Sequence, residues 1–228
     1  MSIALLFDLD GTLVDSARDI AGALSILSER RGGPTVTAEQ VRPLVSLGAA
    51  TLVARALGPW AGDAESDLAE FRTLLAALPT DPAALYDGVP ALLAFYAERQ
   101  YPMAIVTNKP ERLARLLLEQ HGLTEYFGAV VGGDTLSVAK PDPAPLYHAL
   151  ELLDHTGAAV MIGDSDVDAS SAEAAKLPFL LHRNGYGTDE IRSRFASTSF
   201  DQFIELAALL EEAFHRGSIT TNSAPTRA

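Results

Sequence analysis

The sequence predicts an α/β protein with a doubly wound parallel sheet and an inserted all-helical domain. Short apolar runs alternate with helical stretches through most of the chain, which is the pattern of βα units in a parallel sheet. Acidic residues follow directly on two of these runs, and one long segment contains no strand-like run. With 228 residues, the chain is long enough to bury the core of such a fold.

The candidate strands are short and continuously apolar, as expected for strands that helices cover on both faces of a sheet. Between them, three stretches carry apolar residues at helical spacing. Pro110 and Pro143 lie in first helical turns and Gly122 lies at a helix end. The five candidate strands are residues 3–7, 103–106, 129–131, 159–162 and 179–181, and the three helices are residues 89–100, 110–122 and 142–153.

The carboxyl-terminal part of the chain predicts an amphipathic helix over residues 200–214. One face of this helix would carry Phe203, Ile204, Ala207, Leu210 and Phe214. Residues 216–228 are small and polar, and we expect them to be disordered.

Residues 16–82 interrupt the alternation of strands and helices. They hold no strand-like run, and clusters of glycine and proline divide them into several helices. The sequence therefore predicts a core domain made of residues 1–15 and 83–215, and a helical cap domain made of residues 16–82.

The composition excludes several classes of function. A formal net charge of −13 argues against binding to nucleic acid or to a membrane, because both need clustered Lys and Arg. No apolar run is long enough to cross a bilayer and no basic lead precedes the first run, so we expect a cytoplasmic protein. The absence of cysteine excludes disulfides, thiolate nucleophiles and Cys-bound zinc, which leaves oxygen ligands for any metal.

Two carboxylates and a glycine follow the first candidate strand, at Asp8, Asp10 and Gly11. The carboxyl ends of strands are where α/β sheets bind ligands. On a regular strand, Asp8 and Asp10 would face opposite sides. Both can face one ligand only if the backbone turns at Asp10 and Gly11; alternatively, one side chain and one backbone carbonyl share a metal.

Three further motifs lie at predicted strand ends or helix starts. Thr107 precedes a helix, where a hydroxyl and free N–H groups form an anion site, although a simple N-cap is the alternative. Lys140 precedes another helix and, taken alone, is equally consistent with a solvated lysine. Gly163 and Asp164 end the fourth strand as Asp8 ends the first, and carboxylates at two neighbouring strand ends suit Mg²⁺.

Taken together, these motifs resemble those of the haloacid dehalogenase superfamily of phosphotransferases, from residue 3 to about residue 212. Within it, the chain resembles phosphoglycolate phosphatases, and the insertion resembles their four-helix cap on a Rossmann-like core. The motifs are Asp8-Leu9-Asp10-Gly11-Thr12, Thr107-Asn108-Lys109-Pro110-Glu111, Gly132-Gly133-Asp134, Lys140-Pro141-Asp142-Pro143-Ala144-Pro145, Gly163-Asp164-Ser165-Asp166-Val167-Asp168 and Gly185-Tyr186-Gly187.

The resemblance implies a catalytic pair and a metal site. Asp8 would be the nucleophile that takes the phosphoryl group, and Asp10 would be the general acid and base. Mg²⁺ would be bound by the Asp8 carboxylate, the Asp10 carbonyl and Asp164. Ser165 and Asp168 would support the metal site, Asp168 by orienting Lys140 or a water at the metal.

The resemblance also implies residues that bind the substrate. Thr107 and the N–H of Asn108 would hold the phosphoryl oxygens, and Lys140 would balance the charge of Asp8 and the phosphoryl group. The remaining substrate-binding residues would be Gly11, Thr12 and Lys109.

The helical insertion departs from the family pattern at residues 41–49. Ser46 and Leu47 replace the Gly and Asn of a Val-Gly-Asn-Gly loop that is usual in phosphoglycolate phosphatases. Arg42, in the same segment, would either meet a substrate carboxylate or be a solvated arginine.

The leading hypothesis is a Mg²⁺-dependent phosphatase of a small phosphorylated metabolite, with 2-phosphoglycolate as the first candidate. It would act through an aspartyl phosphate. A sugar phosphomutase on the same core and a non-catalytic phospho-switch are the alternatives. The sequence indicates no oligomeric state.

Overall fold

The computed structural model describes residues 3–215 and confirms the predicted parallel sheet. Its strands are β1 (Ala4–Phe7), β2 (Met103–Val106), β3 (Ala129–Val131), β4 (Ala159–Gly163), β5 (Phe179–His182) and β6 (Ser199–Phe200). Every pairing is parallel, and the order across the sheet is β3-β2-β1-β4-β5-β6. This is an order typical of doubly wound sheets.

The helices connect the strands or form the insertion. The α-helices are α1 (Ala17–Glu29), α2 (Ala38–Val41), α3 (Ala49–Leu57), α4 (Ala64–Ala77), α5 (Val89–Glu98), α6 (Glu111–Gln120), α7 (Ala144–Leu152), α8 (Asp166–Ala175), α9 (Asp189–Arg194) and α10 (Phe203–His215). Short 3₁₀ helices cover Arg42–Leu47, Gly58–Trp60, Pro82–Ala84, Thr124–Tyr126 and Ala196–Thr198.

Both faces of the sheet are buried, as the continuous apolar strands predict. Alternate side chains of a strand point to opposite faces. Leu5 and Phe7 of β1 lie in a cluster with residues of α5, α6 and α10, whereas Leu6 lies in a second cluster with residues of α7 and α8. The two layers of helices fix the sheet, and with it the positions of the strand ends.

Helices α1 to α4 form an all-helical insertion with a hydrophobic cluster of its own, which includes Leu24, Leu27, Leu52 and Phe71. In sequence, the insertion lies between β1 and α5, where the chain has no strand-like run. The boundaries of a separate cap domain, residues 16 and 82, remain predictions. The predicted disordered tail, residues 216–228, lies outside the described residues.

The carboxyl-terminal helix begins later than the sequence predicts. Phe200 belongs to the two-residue strand β6, which the sequence does not predict, and it pairs with His182 of β5. Helix α10 therefore begins at Phe203 instead of residue 200. A strand of two residues is too short to be recognised from a pattern and exists because the edge of β5 offers it a partner.

The predicted face of this helix is also wrong in part. Ile204 is 80% exposed. The buried face of the helix instead carries Phe203, Leu206 and Leu210, which follow one another at intervals of three and four residues. The side chain of Phe214 lies outside what the structure describes. Among residues 3–215, no helix is both long and apolar enough to cross a membrane.

Candidate active site

Three neighbouring strands bring the predicted motifs to one edge of the sheet. β1 lies between β2 and β4, so Asp8, Thr107 and Asp164 follow adjacent carboxyl ends. The strand order reverses between β1 and β4, which is where doubly wound sheets bind ligands. The fold therefore places the acidic motifs at the expected crevice.

The backbone after β1 turns so that both acids of the first motif face one pocket. Gly11 has a φ of 87°, and its N–H donates to the Val14 carbonyl at 2.8 Å. Asp8 and Asp10 both line the resulting pocket. A Cβ on Gly11 would overlap Oδ2 of Asp164, so the turn requires glycine for space as well as for its backbone angle.

Lys140 joins two buried acids. Its Nζ lies 2.9 Å from Asp8 Oδ1 and donates to Asp168 Oδ1 at 2.5 Å. Burial lowers the pKa of Lys140, but the charges of Asp168 and Asp8 outweigh burial and raise this pKa above its usual range. Burial and the charge of Asp168 raise the pKa of Asp8 to about 7, against the opposing effect of Lys140.

Asp168 uses both of its carboxylate oxygens inside the site. Besides the bond from Lys140, its Oδ2 accepts from the Ser165 N–H at 3.0 Å, the Ser165 hydroxyl at 2.7 Å and the Asp164 N–H at 3.2 Å. These bonds form at the start of α8, where free N–H groups and the helix dipole favour an acid. The contact expected between Asp168 and Lys140 is present.

Asp164 is held by groups from two other segments. The Thr12 hydroxyl donates to its Oδ1 at 3.0 Å, and the Tyr186 N–H donates to its Oδ2 at 2.7 Å. Burial and the charges of Asp168 and Asp8 raise the pKa of Asp164 well above its usual range. Asp164 is thus a fixed, buried carboxyl whose charged form needs a cation.

The donor set fits a divalent cation such as Mg²⁺. Asp8, Asp164 and Asp168 each offer one oxygen, and these oxygens lie within 4.8 Å of one another. Three buried carboxylates this close repel, and a hard cation would offset the repulsion. Asp168 already accepts four hydrogen bonds, three of them at Oδ2, whereas Asp164 accepts two. Asp8 and Asp164 are therefore the better ligands.

Asp10 is bound by a lysine and a serine. Lys109 Nζ donates to its two oxygens at 2.9 and 3.1 Å, and the Ser16 hydroxyl donates to Oδ1 at 2.5 Å. Next to Lys109, the Asn108 amide donates to the Lys140 carbonyl at 2.9 Å. The Thr107 hydroxyl accepts from the Lys109 N–H at 3.2 Å. The segment after β2 thus contacts Asp10 directly, through Lys109, and contacts Lys140, the neighbour of Asp8, through Asn108.

Most of the predicted site residues line one pocket between the sheet edge and the helical insertion. Gly11 and Thr12 instead contact Asp164, which itself does not line the pocket. The predicted residues that do line it are Asp8, Asp10, Thr107, Asn108, Lys109, Lys140, Ser165 and Asp168.

The structure places Arg42 away from the pocket lining. Its Nη2 donates to Asp15 Oδ2 at 2.5 Å, and its guanidinium carbon lies 6.0 Å from the centre of the Tyr186 ring. The Arg42 side chain is 42% exposed, and its guanidinium already has a carboxylate partner. The contact with a substrate carboxylate, one of the two alternatives for Arg42, remains a prediction.

Three residues at the site were not predicted as contributors. Ser16 lies six residues after Asp10, and this proximity along the chain was the available indication. Tyr186 belongs to a motif that supported the resemblance, without any role being given to it. Arg72 of α4 lines the pocket, and nothing in its local sequence distinguishes it from other arginines.

Comparisons with known proteins agree with this geometry. The family model of haloacid dehalogenase-like hydrolases matches residues 4–176. A phosphoglycolate phosphatase of Rhodospirillum rubrum is 41% identical over 217 residues, which cover 90% of each chain. A phosphoglycolate phosphatase of Photobacterium profundum is 39% identical and matches 92% of this chain and 96% of that protein.

Solved structures extend the likeness to the whole fold. A predicted phosphoglycolate phosphatase from Haemophilus somnus has a TM-score of 0.78 and 25% identity, covering 91% of this chain and 97% of that one. CbbY from Rhodobacter sphaeroides, solved in complex with phosphate, has a TM-score of 0.76 and 25% identity, covering 92% and 100%. The chain is a phosphatase, and it belongs to the haloacid dehalogenase-like hydrolase family.

Proposed function

We propose that this phosphatase is Mg²⁺-dependent and hydrolyses 2-phosphoglycolate through an aspartyl phosphate on Asp8. The observation that carries the proposal is the position of Asp8. Its carboxylate is buried, lies 2.9 Å from Lys140 Nζ, and faces a pocket lined by Thr107 and Asn108. The related phosphoglycolate phosphatases support the choice of substrate.

Lys140 makes attack by Asp8 feasible. A carboxylate that approaches a phosphate monoester meets like charge, so cations must offset the repulsion before a bond forms. Lys140 is held against Asp8 by Asp168 and remains charged because two acids surround it. When bound by Asp8 and Asp164, Mg²⁺ would supply further positive charge to the phosphoryl oxygens.

Asp10 would move the protons of the reaction. It lines the same pocket as Asp8 but belongs to a different set of partners, Lys109 and Ser16. In the first step, its carboxyl would give a proton to the leaving alkoxide, and in the second it would take a proton from the attacking water. The P–O bond to the leaving group breaks as the bond to Asp8 Oδ forms, and water then releases phosphate.

The proposed roles of the two acids are separated by trapping the intermediate. In the Asp10→Asn variant, an aryl phosphate with a good leaving group should still phosphorylate Asp8, because that step needs little acid help. Hydrolysis lacks its base and should slow by roughly 10²- to 10⁴-fold. Rapid quenching with ³²P-labelled aryl phosphate and peptide mapping should find a base-labile phosphate on Asp8.

The control for this experiment is Asp8→Asn, which should give neither label nor turnover, because an amide does not attack phosphorus. Label on any other residue would refute the assignment of Asp8 as the nucleophile. Parallel measurements of phosphate release from 2-phosphoglycolate by the parent protein, before and after chelation, test the metal. Full activity in the chelated protein would refute the dependence on Mg²⁺.

A further inference from the structure

Arg72 is a cation of the pocket that has no acid partner among the residues that the structure describes. It lies on α4 of the insertion and lines the same pocket as Asp8 and Asp10. Its Nε is buried and makes no hydrogen bond within the part of the chain that the structure describes. No ion pair joins Arg72 to a carboxylate among those residues either.

The other cations that line the pocket are already neutralised. Lys109 binds both oxygens of Asp10, and Lys140 lies between Asp8 and Asp168. Among the lining residues that the structure describes, Arg72 is thus the one whose positive charge has no acid opposite it.

The neighbouring arginines of the insertion differ from Arg72 in this respect. Arg31 binds Asp67, and Arg42 binds Asp15. Neither lines the pocket. Arg55, on α3, is exposed and does not line the pocket either. Among the arginines of the insertion that the structure describes, Arg72 is thus the one that lines the pocket and has no acid partner.

A guanidinium with a buried, unpaired N–H is costly unless a ligand supplies the acceptor. Its planar donors match a carboxylate, which can accept two parallel hydrogen bonds. The segments that follow β1, β2 and β3 supply Asp8, Thr107 and Lys140 for the phosphoryl group, whereas Arg72 lies on α4 of the insertion. The part of a substrate that faces the insertion is the leaving group.

We propose that Arg72 binds the carboxylate of the leaving group and thereby selects small phosphomonoesters that carry a carboxylate. This inference rests on the proposed function, because it assumes 2-phosphoglycolate in the pocket with its phosphoryl group at Asp8. It assigns to Arg72 the carboxylate contact that was one of the two alternatives for Arg42. The apolar side chains of Phe71 and Leu75 also line the pocket, beside Arg72.

The test compares two substrates that differ only at the proposed contact. Ethyl phosphate has the chain length of 2-phosphoglycolate and a methyl group in place of the carboxylate. For the parent and each variant, the preference is the ratio of kcat/KM for 2-phosphoglycolate to kcat/KM for ethyl phosphate. Arg72→Gln should lower this preference by roughly 10- to 100-fold, as expected for the loss of a charged hydrogen-bonded pair.

Two further variants keep the test decisive. Arg72→Lys retains the charge but not the paired donors, so its preference should lie between those of the parent and Arg72→Gln. Arg55→Gln removes the same charge from an exposed position on α3 that does not line the pocket, and should keep the parent's preference. Circular dichroism and thermal unfolding establish that each variant is folded; if Arg72→Gln is not, Arg72→Lys decides.

The outcomes separate the inference from the proposed function. If the parent prefers 2-phosphoglycolate and both Arg72 variants retain that preference, the contact with Arg72 is refuted and the proposed substrate stands. If the parent hydrolyses both esters with equal kcat/KM, the proposed substrate is refuted. Equal losses on both esters in Arg72→Gln would assign Arg72 to the phosphoryl group or to the fold, which also overturns the inference.

Discussion

Gly11 couples the shape of the first turn to the position of a metal-binding acid. Its φ of 87° reverses the chain after Asp10, and the absence of a side chain lets Asp164 approach. Asp164 in turn is held by Thr12, the residue after Gly11. One residue thus determines both where Asp10 points and how near the acids of β1 and β4 lie.

Replacement of Gly11 by alanine should therefore damage the site beyond the cost of its backbone angle. Alanine at a positive φ costs about 1–2 kcal/mol, and at Gly11 its Cβ would also displace the Asp164 carboxylate. We expect Gly11→Ala to lose roughly 2 kcal/mol or more of unfolding free energy and at least about tenfold in kcat/KM. Urea unfolding and phosphate release measure the two losses.

Gly122 provides the matched control for this substitution. Its φ is 66°, but a Cβ there would meet no atom within 4 Å. Gly122→Ala should show the backbone cost alone and retain full activity. Similar stability losses in the two variants, with activity intact in both, would contradict the proposed crowding at Asp164.

At the scale of elements, an ion pair in the insertion joins the segment just after α1 to α4. Arg31, just after α1, donates to Asp67 of α4 at 2.5 Å, and Asp67 also accepts from the Gly62 N–H at 2.7 Å. The hydrogen bond from Arg31 lowers the pKa of Asp67, against the opposing effect of burial. Asp67 and Arg72 lie on the same helix, so this contact also helps to position the part of α4 that lines the pocket.

The Asp67 contact should make the stability of the protein depend on acid pH. Because the folded-state pKa lies below the ordinary value of 3.8, the stabilisation is complete above that value and is lost as pH falls through the folded pKa. Asp67→Asn should cost about 1–3 kcal/mol at pH 7, and the difference from the parent should shrink below about pH 3.8. Urea unfolding at pH 7 and at pH 3 measures the free energy of unfolding of the parent and of the variant. A difference between them that is constant with pH would refute the proposed link between Asp67 and stability in acid.

The elements that could be predicted from sequence are those whose local composition already decides whether they are buried or exposed. The strands before Asp8 and Asp164 are apolar throughout, so they must be buried, and their acids must then lie at the strand ends. Arg42 and Arg72 show the opposite case. Which of them faces the pocket depends on how distant helices pack, and a single long side chain carries no local sign of its partner.

On the scale of the whole molecule, Tyr186 connects the sheet edge to the helical insertion. Its N–H donates to Asp164 Oδ2, while its hydroxyl donates to Asp15 Oδ1 at 2.8 Å and accepts from the Ala17 N–H at 3.0 Å. Burial and the nearby charge of Asp15 raise the pKa of Tyr186 above its usual range, so the hydroxyl keeps its proton. A loop after β5 thereby joins the proposed metal site to the first turn of α1.

Removal of this hydroxyl should loosen the insertion over the pocket. In Tyr186→Phe, the buried Ala17 N–H loses its acceptor and Asp15 loses a donor, at a net cost of about 1 kcal/mol, or roughly fivefold in the local equilibrium. We expect faster amide hydrogen exchange at Ala17 and a KM for 2-phosphoglycolate that rises a few-fold. Tyr147→Phe removes a hydroxyl that donates to the Ala175 carbonyl at 3.3 Å, and should alter neither quantity. Unchanged exchange at Ala17 in Tyr186→Phe would show that the insertion is held on the sheet edge by its other contacts, and that Tyr186 serves Asp164 alone.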